Sequence, residues 1–309
     1  MPNEKRLMTS IGKIDLLEQA YKKMLLGKAL SYDESSLLLS CSILLLKEYD
    51  QDRNNKMFFE MAYEIITRYS LLSGDSKPLY DFSLNYGFFP IVDYIAKSNQ
   101  EFTERITDII NGVFVDKYRT ESFMPTVQQY NAYVGVLSDR NKDISFIAPT
   151  SFGKSGLIIS HIKKVDSSTL KAAIIVPTKS LLMQTYRYVK DEITNKKILL
   201  HDQMFAGEDS YIAVLTQERA LRLLEKHNTF FDYLYIDEAH NLFDNDSRNR
   251  LLARLIRLSR VKNADCEVLY FSPLVERSDN LKVLGSPFIS EYRIDNNIKI
   301  PTYFLYDNK

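Results

Sequence analysis

After Asp143, short runs of β-branched and aliphatic residues alternate with helical stretches. The runs end in small or polar residues, and they cover 144–148, 172–176, 211–215, 233–236 and 268–271. Alternation of this kind is typical of a parallel sheet covered by helices on both faces. Because ligands of such sheets bind at the carboxyl ends of the strands, the polar residues there are the first candidates for chemistry.

The chain before residue 118 has a different rhythm, with apolar residues at helical spacing. The spacing predicts helices near 14–25, 37–49 and 57–69, a loop-rich break over 73–90, and further helices over 91–96 and 102–115. Ser31 or Asp33 can cap the second helix. We therefore expect a helical accessory domain over 1–118, an α/β lobe over 119–292, and a connector or the start of a second lobe over 293–309. The helical domain is either an irregular bundle or an array that docks a partner protein.

Composition excludes several classes of protein. The 309 residues include 40 basic and 40 acidic side chains, so no global positive field can recruit nucleic acid, and any such contact must be local. The low content of Gly and Pro argues against disorder and fibrous repeats. Cys41 and Cys266 lie in apolar surroundings, which predicts buried free thiols in a reducing compartment. The near-apolar run 37–46 is too short to cross a bilayer, so we expect a cytoplasmic protein without a membrane partner.

The first predicted strand leads into the sequence Ala-Pro-Thr-Ser-Phe-Gly-Lys-Ser at 148–155, and an apolar helix follows. This order of strand, tight loop, Gly-Lys-Ser and helix is the layout of a phosphate-binding loop. Gly153 permits close backbone approach, and the amides of the loop present positive potential to phosphate oxygens. Lys154 can reach the β- and γ-phosphates of ATP, and the Ser155 hydroxyl can bind Mg²⁺. The residues of this loop that we predict to bind the nucleotide are Thr150, Ser151, Phe152, Gly153, Lys154 and Ser155.

A pair of carboxylates ends the buried run at 231–236. Asp237 at the strand end can hold Mg²⁺, and Glu238 can polarise the water that attacks the γ-phosphate. An isolated Asp-Glu pair is usually a solvated turn, but this pair ends a hydrophobic strand downstream of a phosphate loop. We therefore predict Lys154, Asp237 and Glu238 as the catalytic residues.

Together these motifs resemble motifs I and II of superfamily 2 DEAD/DEAH-box helicases. The residues that carry the resemblance are Ala148-x-Thr150-x-x-Gly153-Lys154-Ser155 and Asp237-Glu238-Ala239-His240. The resemblance implies a RecA-like lobe that binds ATP and Mg²⁺ and acts on DNA or RNA, as a single strand or partial duplex. The helical N-terminus and the loop sequence look like those of Ski-like helicases of bacterial antiphage defence, such as that of the Hachiman system.

Further segments fall in the order expected of that family. Residues 176–181 resemble motif Ia and residues 215–219 resemble motif Ib, except that Gln217 replaces a proline. The resemblance implies nucleic-acid contacts by Pro177, Thr178, Lys179, Thr216 and Arg219. Without it, Thr178 and Thr216 would simply be helix N-caps. Residues 125–129 resemble the adenine-reading motif P-T-x-x-Q, which implies that Gln129 contacts the base.

The segment corresponding to motif III differs from the family pattern. Ser272 is retained, but Leu274 stands where the family has a threonine. The resemblance implies that His240 and Ser272 couple the nucleotide state to strand separation, so the substitution puts unwinding in doubt. Arg250, Arg254 and Arg257 share one face of a predicted helix, either as a solvated face or as a phosphate contact.

Three functions fit these motifs to different degrees. The first is an ATP-driven helicase or translocase, and the second is a nucleotide-gated scaffold that recruits a partner effector protein. The third, a small-molecule kinase, lacks support because the motifs occur in helicase order. The resemblance leads us to expect a second lobe beyond Lys309 that supplies an arginine finger. Residues 1–309 alone should then hydrolyse ATP very slowly.

Overall fold

Helices form the first of two compact units in the computed structural model. The structure describes residues 15–99, 105–120, 123–139, 143–149, 152–243, 247–273, 275, 277–281 and 289–294. The first unit extends to Val127, and the second begins at Gln128. The described part of the first unit contains α1 to α6, which are Asp15–Leu25, Tyr32–Gln51, Lys56–Ser73, Lys77–Tyr86, Phe89–Ser98 and Ile106–Asp116.

Local signals fix the start of α2. The Ser31 hydroxyl accepts the N–H of Glu34, and the Glu34 carboxylate accepts the N–H of Ser31, so the two residues form a capping box. Of the two predicted caps, Ser31 is therefore the one used. Helices α1, α2 and α3 bury a shared cluster of apolar side chains that includes Leu38 and Cys41.

The prediction of a loop-rich break over 73–90 is wrong. Helix α4 occupies Lys77–Tyr86, and α5 begins at Phe89. The glycines and prolines lie at helix ends. Pro78 lies in the first turn of α4, and Gly74 and Gly87 end α3 and α4 in the left-handed region, at φ 76° and 75°. Proline is tolerated in a first turn and glycine is favoured at a C-cap, so these residues mark boundaries between helices.

The second unit is built on a seven-stranded sheet in which every pairing is parallel, with the order β3-β4-β2-β5-β6-β1-β7. The strands β1 to β7 are Asp143–Ile147, Lys171–Ile175, Lys197–Leu199, Tyr211–Leu215, Tyr233–Ile236, Glu267–Ser272 and Ile289–Arg293. Every residue of β1 and of β4 is buried, which requires cover on both faces. The predicted class, a parallel α/β sheet preceded by an all-α part, is confirmed.

Two strands were not predicted. Strand β3 has three residues, too few to produce a pattern. Among the described strands, β7 pairs with β1 at one edge of the sheet, and it includes the polar residues Ser290, Glu291 and Arg293. The predicted connector over 293–309 therefore overlaps the end of β7. Its segment 298–306 lies outside the described residues.

Among the described residues, five α-helices belong to or lead into the second unit. They are α7 to α11, at Val127–Ser138, Lys154–Lys164, Lys179–Glu192, Gln217–Lys226 and Ser247–Lys262. Within the described residues, no helix combines the length and the apolarity that a bilayer span requires. Cys41 and Cys266 are buried free thiols, as predicted, and burial raises the pKa of both.

Candidate nucleotide-binding site

The described part of the phosphate loop lies between β1 and α8. Gly153 is the N-cap of α8 at φ 77°, a left-handed conformation that disfavours residues with a Cβ. Its carbonyl accepts the first helical hydrogen bond from Leu157 N at 3.0 Å. Helix α8 therefore begins at Lys154, and its N-terminal amides end the loop. Thr150 and Ser151 lie outside the described residues.

Lys154 is held inside the loop. Its side chain is 9% exposed, and Nζ donates to the carbonyl of Ala148 at 3.3 Å. Burial lowers the pKa of Lys154, although the charges of Glu238 and Asp237 oppose that shift. The ammonium group therefore lies in the field of both carboxylates, as the predicted catalytic set requires.

The two carboxylates follow β5 directly. Asp237 N donates to Ile175 O at 2.9 Å, which extends the pairing of β5 with β2 by one residue. The Asp237 carboxylate accepts the N–H of Glu238 at 3.0 Å. Glu238 has φ 52°, and it is the only non-glycine residue in the described part of the chain with positive φ. Such a conformation costs on the order of 1–3 kcal/mol and is concentrated at functional sites.

Burial raises the pKa of Asp237, the neighbouring Glu238 charge raises it further, and Lys154 opposes both effects. Two adjacent carboxylates share one cationic side chain, so a further cation would stabilise the ionised pair. Oxygen ligands such as the Asp237 carboxylate and the exposed Ser155 hydroxyl suit Mg²⁺. No group of three or more His, Cys, Asp and Glu residues that could hold a metal occurs in the described ranges. Mg²⁺ therefore fits only as an ion that also takes ligands from phosphate and water, which is its usual mode of binding.

The residues predicted to couple nucleotide to strand separation lie close together. His240 Nδ1 is 3.3 Å from Glu238 Oε2 and 3.4 Å from Ser272 Oγ. The Ser272 carbonyl accepts Ala148 N at 3.0 Å. Strand β6, which ends at Ser272, lies between β5 and β1. His240 and Ser272 therefore form a continuous polar connection from the acidic pair to the start of the phosphate loop.

Gln129 is a residue of α7, and its side chain contacts the phosphate loop. It is 7% exposed, and Nε2 is 3.5 Å from the Phe152 carbonyl, a long contact. One turn later, the Tyr133 hydroxyl donates to Gly153 O at 2.6 Å. Tyr133 belongs to none of the predicted motifs, although its spacing of four residues from Gln129 places both on one helix face.

The residues predicted to contact nucleic acid lie at the ends of β2 and β4, which are adjacent strands. Thr178 is exposed, and its hydroxyl caps α9 by accepting Leu181 N at 3.3 Å. Pro177 precedes it, and exposed Lys179 begins α9. Thr216 occupies the N-cap position of α10, but its side chain makes no capping hydrogen bond.

Arg219 is tied to the neighbouring loop, where Nη1 donates to Leu200 O at 3.1 Å. The arginine face predicted on α11 is exposed at Arg250, Arg254 and Arg257. Arg254 pairs with Glu225 at 2.7 Å. A solvated face is therefore sufficient to explain these three side chains.

A parallel sheet with a phosphate loop after β1 and an acidic pair after β5 defines an α/β nucleotide-binding fold of the RecA-like class. Residues 126–277, about half of the chain, match the family model of the DEAD/DEAH box helicase. These residues are therefore similar to a DEAD/DEAH box helicase domain.

Solved structures of helicases resemble part of the chain. The DEAD-box helicase Mss116 bound to ssRNA and UDP-BeF is 21% identical, with 54% of this chain and 40% of that chain covered at a TM-score of 0.45. A DEAD box protein from Methanococcus jannaschii is 22% identical, with 62% of this chain and 55% of that chain covered at a TM-score of 0.45. The Mycobacterium smegmatis helicase Lhr bound to ssDNA and AMP-PNP is 16% identical, with 55% of this chain and 26% of that chain covered at a TM-score of 0.47. The comparison with curated proteins gives no significant match.

Proposed function

We propose that this chain provides an ATP-binding motor lobe of a nucleic-acid helicase or translocase. One observation carries the proposal. Lys154, at the start of the helix that follows β1, and the acidic pair at the end of β5 interact electrostatically, although β6 lies between the two strands. A buried lysine, two carboxylates and a helix N-terminus at one sheet edge make a site for a nucleoside triphosphate.

Each residue has a separate task in this proposal. The amides at the start of α8 and the Lys154 ammonium bind the β- and γ-phosphates. Ser155 and Asp237 would hold Mg²⁺, which neutralises charge on the phosphates when it is bound. Glu238 orients the attacking water, and its nearness to His240 fixes the direction of its carboxylate. Gln129 contacts the adenine edge from α7.

The edge formed by Thr178, Lys179, Thr216 and Arg219 is the proposed nucleic-acid interface. Hydroxyls and helix N-termini suit the phosphates of a single strand, and such contacts position a backbone without reading its sequence. The overall charge of zero is compatible with this role because the interface needs only a few local donors.

We extend the proposal to antiphage defence, with the helical unit as the docking site for a partner effector protein. Support for this step comes from the resemblance of the loop sequence and of the helical N-terminus. In a plaque assay on cells carrying the natural full-length protein, Lys154→Ala should lose protection if ATP binding drives defence. Equal protection by both proteins would contradict this extension.

The motor is distinguished from a nucleotide-gated scaffold by Glu238→Gln in the natural full-length protein. We expect ATP binding to survive while steady-state hydrolysis is lost, because the phosphate loop and Asp237 remain but no carboxylate orients the water. Glu225→Gln is the matched control, since it removes an exposed carboxylate from α10. A wild-type ATPase rate in Glu238→Gln would exclude the assigned role. A partner interaction that persists at full strength without hydrolysis would favour the scaffold.

A further inference from the structure

We infer that Tyr133 is a positioning residue for the nucleotide phosphates, because its hydroxyl helps to set the direction of two backbone amides in the phosphate loop. The inference rests on the proposed function and deepens it, since it concerns how the loop is made ready for an anion. Tyr133 lies outside the motifs that the sequence analysis identified.

Tyr133 projects from α7 against the loop and is 5% exposed. Its hydroxyl donates to Gly153 O at 2.6 Å and lies 3.4 Å from Phe152 O. The ring packs edge-on against Phe146 of β1, with the centroids 5.9 Å apart. Burial raises the pKa of Tyr133, so the hydroxyl keeps the proton that it donates at neutral pH.

The two carbonyls determine where two N–H groups point. In a trans peptide the C=O and the following N–H point in opposite directions. The Gly153 carbonyl accepts both the Tyr133 hydroxyl and Leu157 N, so the hydroxyl shares with the first helical hydrogen bond in setting the direction of the Lys154 N–H. The Phe152 carbonyl lies 3.4 Å from the same hydroxyl, and the N–H of Gly153, in the same peptide unit, points away from it. Gly153 is in the left-handed conformation and Lys154 begins a helix, an arrangement that forms an anion-binding concavity of amides. As the first N–H groups of α8, they have no acceptor within the helix.

The position of the Tyr133 hydroxyl is restrained because α7 also packs against the edge of the sheet. A Cβ on Gly135 would lie 2.3 Å from Tyr292 Cε1, so α7 and β7 are in direct contact there. The Tyr292 hydroxyl donates to Asp139 at 2.9 Å near the end of the helix. Packing against β1 and β7 therefore restrains the backbone from which Tyr133 projects.

The test is Tyr133→Phe in chain 1–309, which removes one oxygen and keeps the ring. Titration calorimetry would measure the affinity for ATP·Mg²⁺, and competition would measure the affinity for magnesium pyrophosphate. We expect both affinities to fall by about three- to tenfold, as for the loss of one buried hydrogen bond. Pyrophosphate has no base, so an equal loss for both ligands assigns the effect to the phosphate amides.

Tyr292→Phe is the matched control, because it removes the same atom from the other anchor of α7. We expect it to lower the melting temperature of the apoprotein but to leave nucleotide affinity unchanged. An equal loss of affinity in both variants would mean that helix docking is responsible and would overturn the inference. A loss of affinity for ATP but not for pyrophosphate would also overturn it. The same holds if Tyr133→Phe binds ATP with wild-type affinity while Lys154→Ala abolishes binding. Unchanged binding in Lys154→Ala would instead remove the proposed function itself.

Discussion

His161 links the two halves of the proposed nucleotide site through a buried hydrogen bond. It lies on α8, behind the phosphate loop, and its Nδ1 is 2.9 Å from the hydroxyl of Tyr235 on β5. Tyr235 precedes Asp237 by two residues and is fully buried. The rings of His161 and Tyr233 also pack edge to face, with the centroids 5.5 Å apart. Protonation of His161 would therefore place a charge beneath both motifs.

Burial, with a smaller contribution from the charge of Lys164, lowers the pKa of His161 from 6.5 to about 4. Because the folded-state pKa is depressed, the unfolded chain binds a proton between these two values while the folded chain does not. The stability conferred by neutral His161 is complete above pH 6.5 and is lost progressively as the pH falls towards 4. Between pH 7.5 and pH 5.0 the loss is about 2 kcal/mol.

The assay is thermal unfolding of wild-type chain and of His161→Asn at both pH values. Asparagine keeps a polar atom near the Tyr235 hydroxyl but does not titrate in this range. For a unit of this size, 2 kcal/mol corresponds to a shift of about 4–8 °C in melting temperature. On acidification, we expect the melting temperature of the second unit to fall by that much more in the wild-type chain than in the variant. Equal acid shifts in the two proteins would refute a buried neutral His161.

Three further predictions concern the site and its supports. Asp237→Asn should stabilise the apoprotein at pH 7 but abolish tight ATP·Mg²⁺ binding. The pKa of Asp237 is raised in the folded protein, so the ionised carboxylate destabilises the fold at a pH above its ordinary pKa, and asparagine carries no charge. Unchanged melting together with unchanged binding would contradict this. Gly135→Ala should cost about 1–3 kcal/mol in urea unfolding, since the new methyl group would overlap Tyr292. A neutral result would contradict the packing of α7 on β7. Lys179→Ala should weaken single-strand binding and reduce its salt dependence by about one ion, whereas Lys190→Ala at the far end of α9 should not. Equal effects of the two lysines would contradict the proposed interface.

The strands that carry the motifs could be predicted because they are buried on both faces. The runs that became β1, β2, β4, β5 and β6 are nearly continuous in apolar residues, and each is followed by the polar residues predicted to act. The edge strand β7 has three polar residues among its five and so no continuous apolar run, and β3 is too short to show a pattern. The prediction of a break over 73–90 is wrong because glycine and proline can either interrupt a helix or mark its ends, and here they mark the ends.

The composition of the candidate site could be predicted, but its assembly could not. That Lys154 meets the acidic pair depends on the placement of β6 between β1 and β5, which is a long-range property of the sheet. The positive φ of Glu238 results from a turn at a strand end and has no sequence signal, since glutamate rarely adopts it. Tyr133 was missed because a tyrosine four residues after Gln129 reads equally well as an ordinary core residue of α7.

The most direct test of the nucleotide site is calorimetric titration of chain 1–309 with ATP·Mg²⁺ after Lys154→Ala. Lys163→Ala is the matched control, because it removes an exposed ammonium from the same helix about 13 Å farther along its axis. If Lys154 and the acidic pair hold the triphosphate, Lys154→Ala abolishes measurable binding while Lys163→Ala binds as the wild-type chain does. Equal ATP affinity in all three proteins would contradict the assignment of a phosphate-binding loop to residues 148–155.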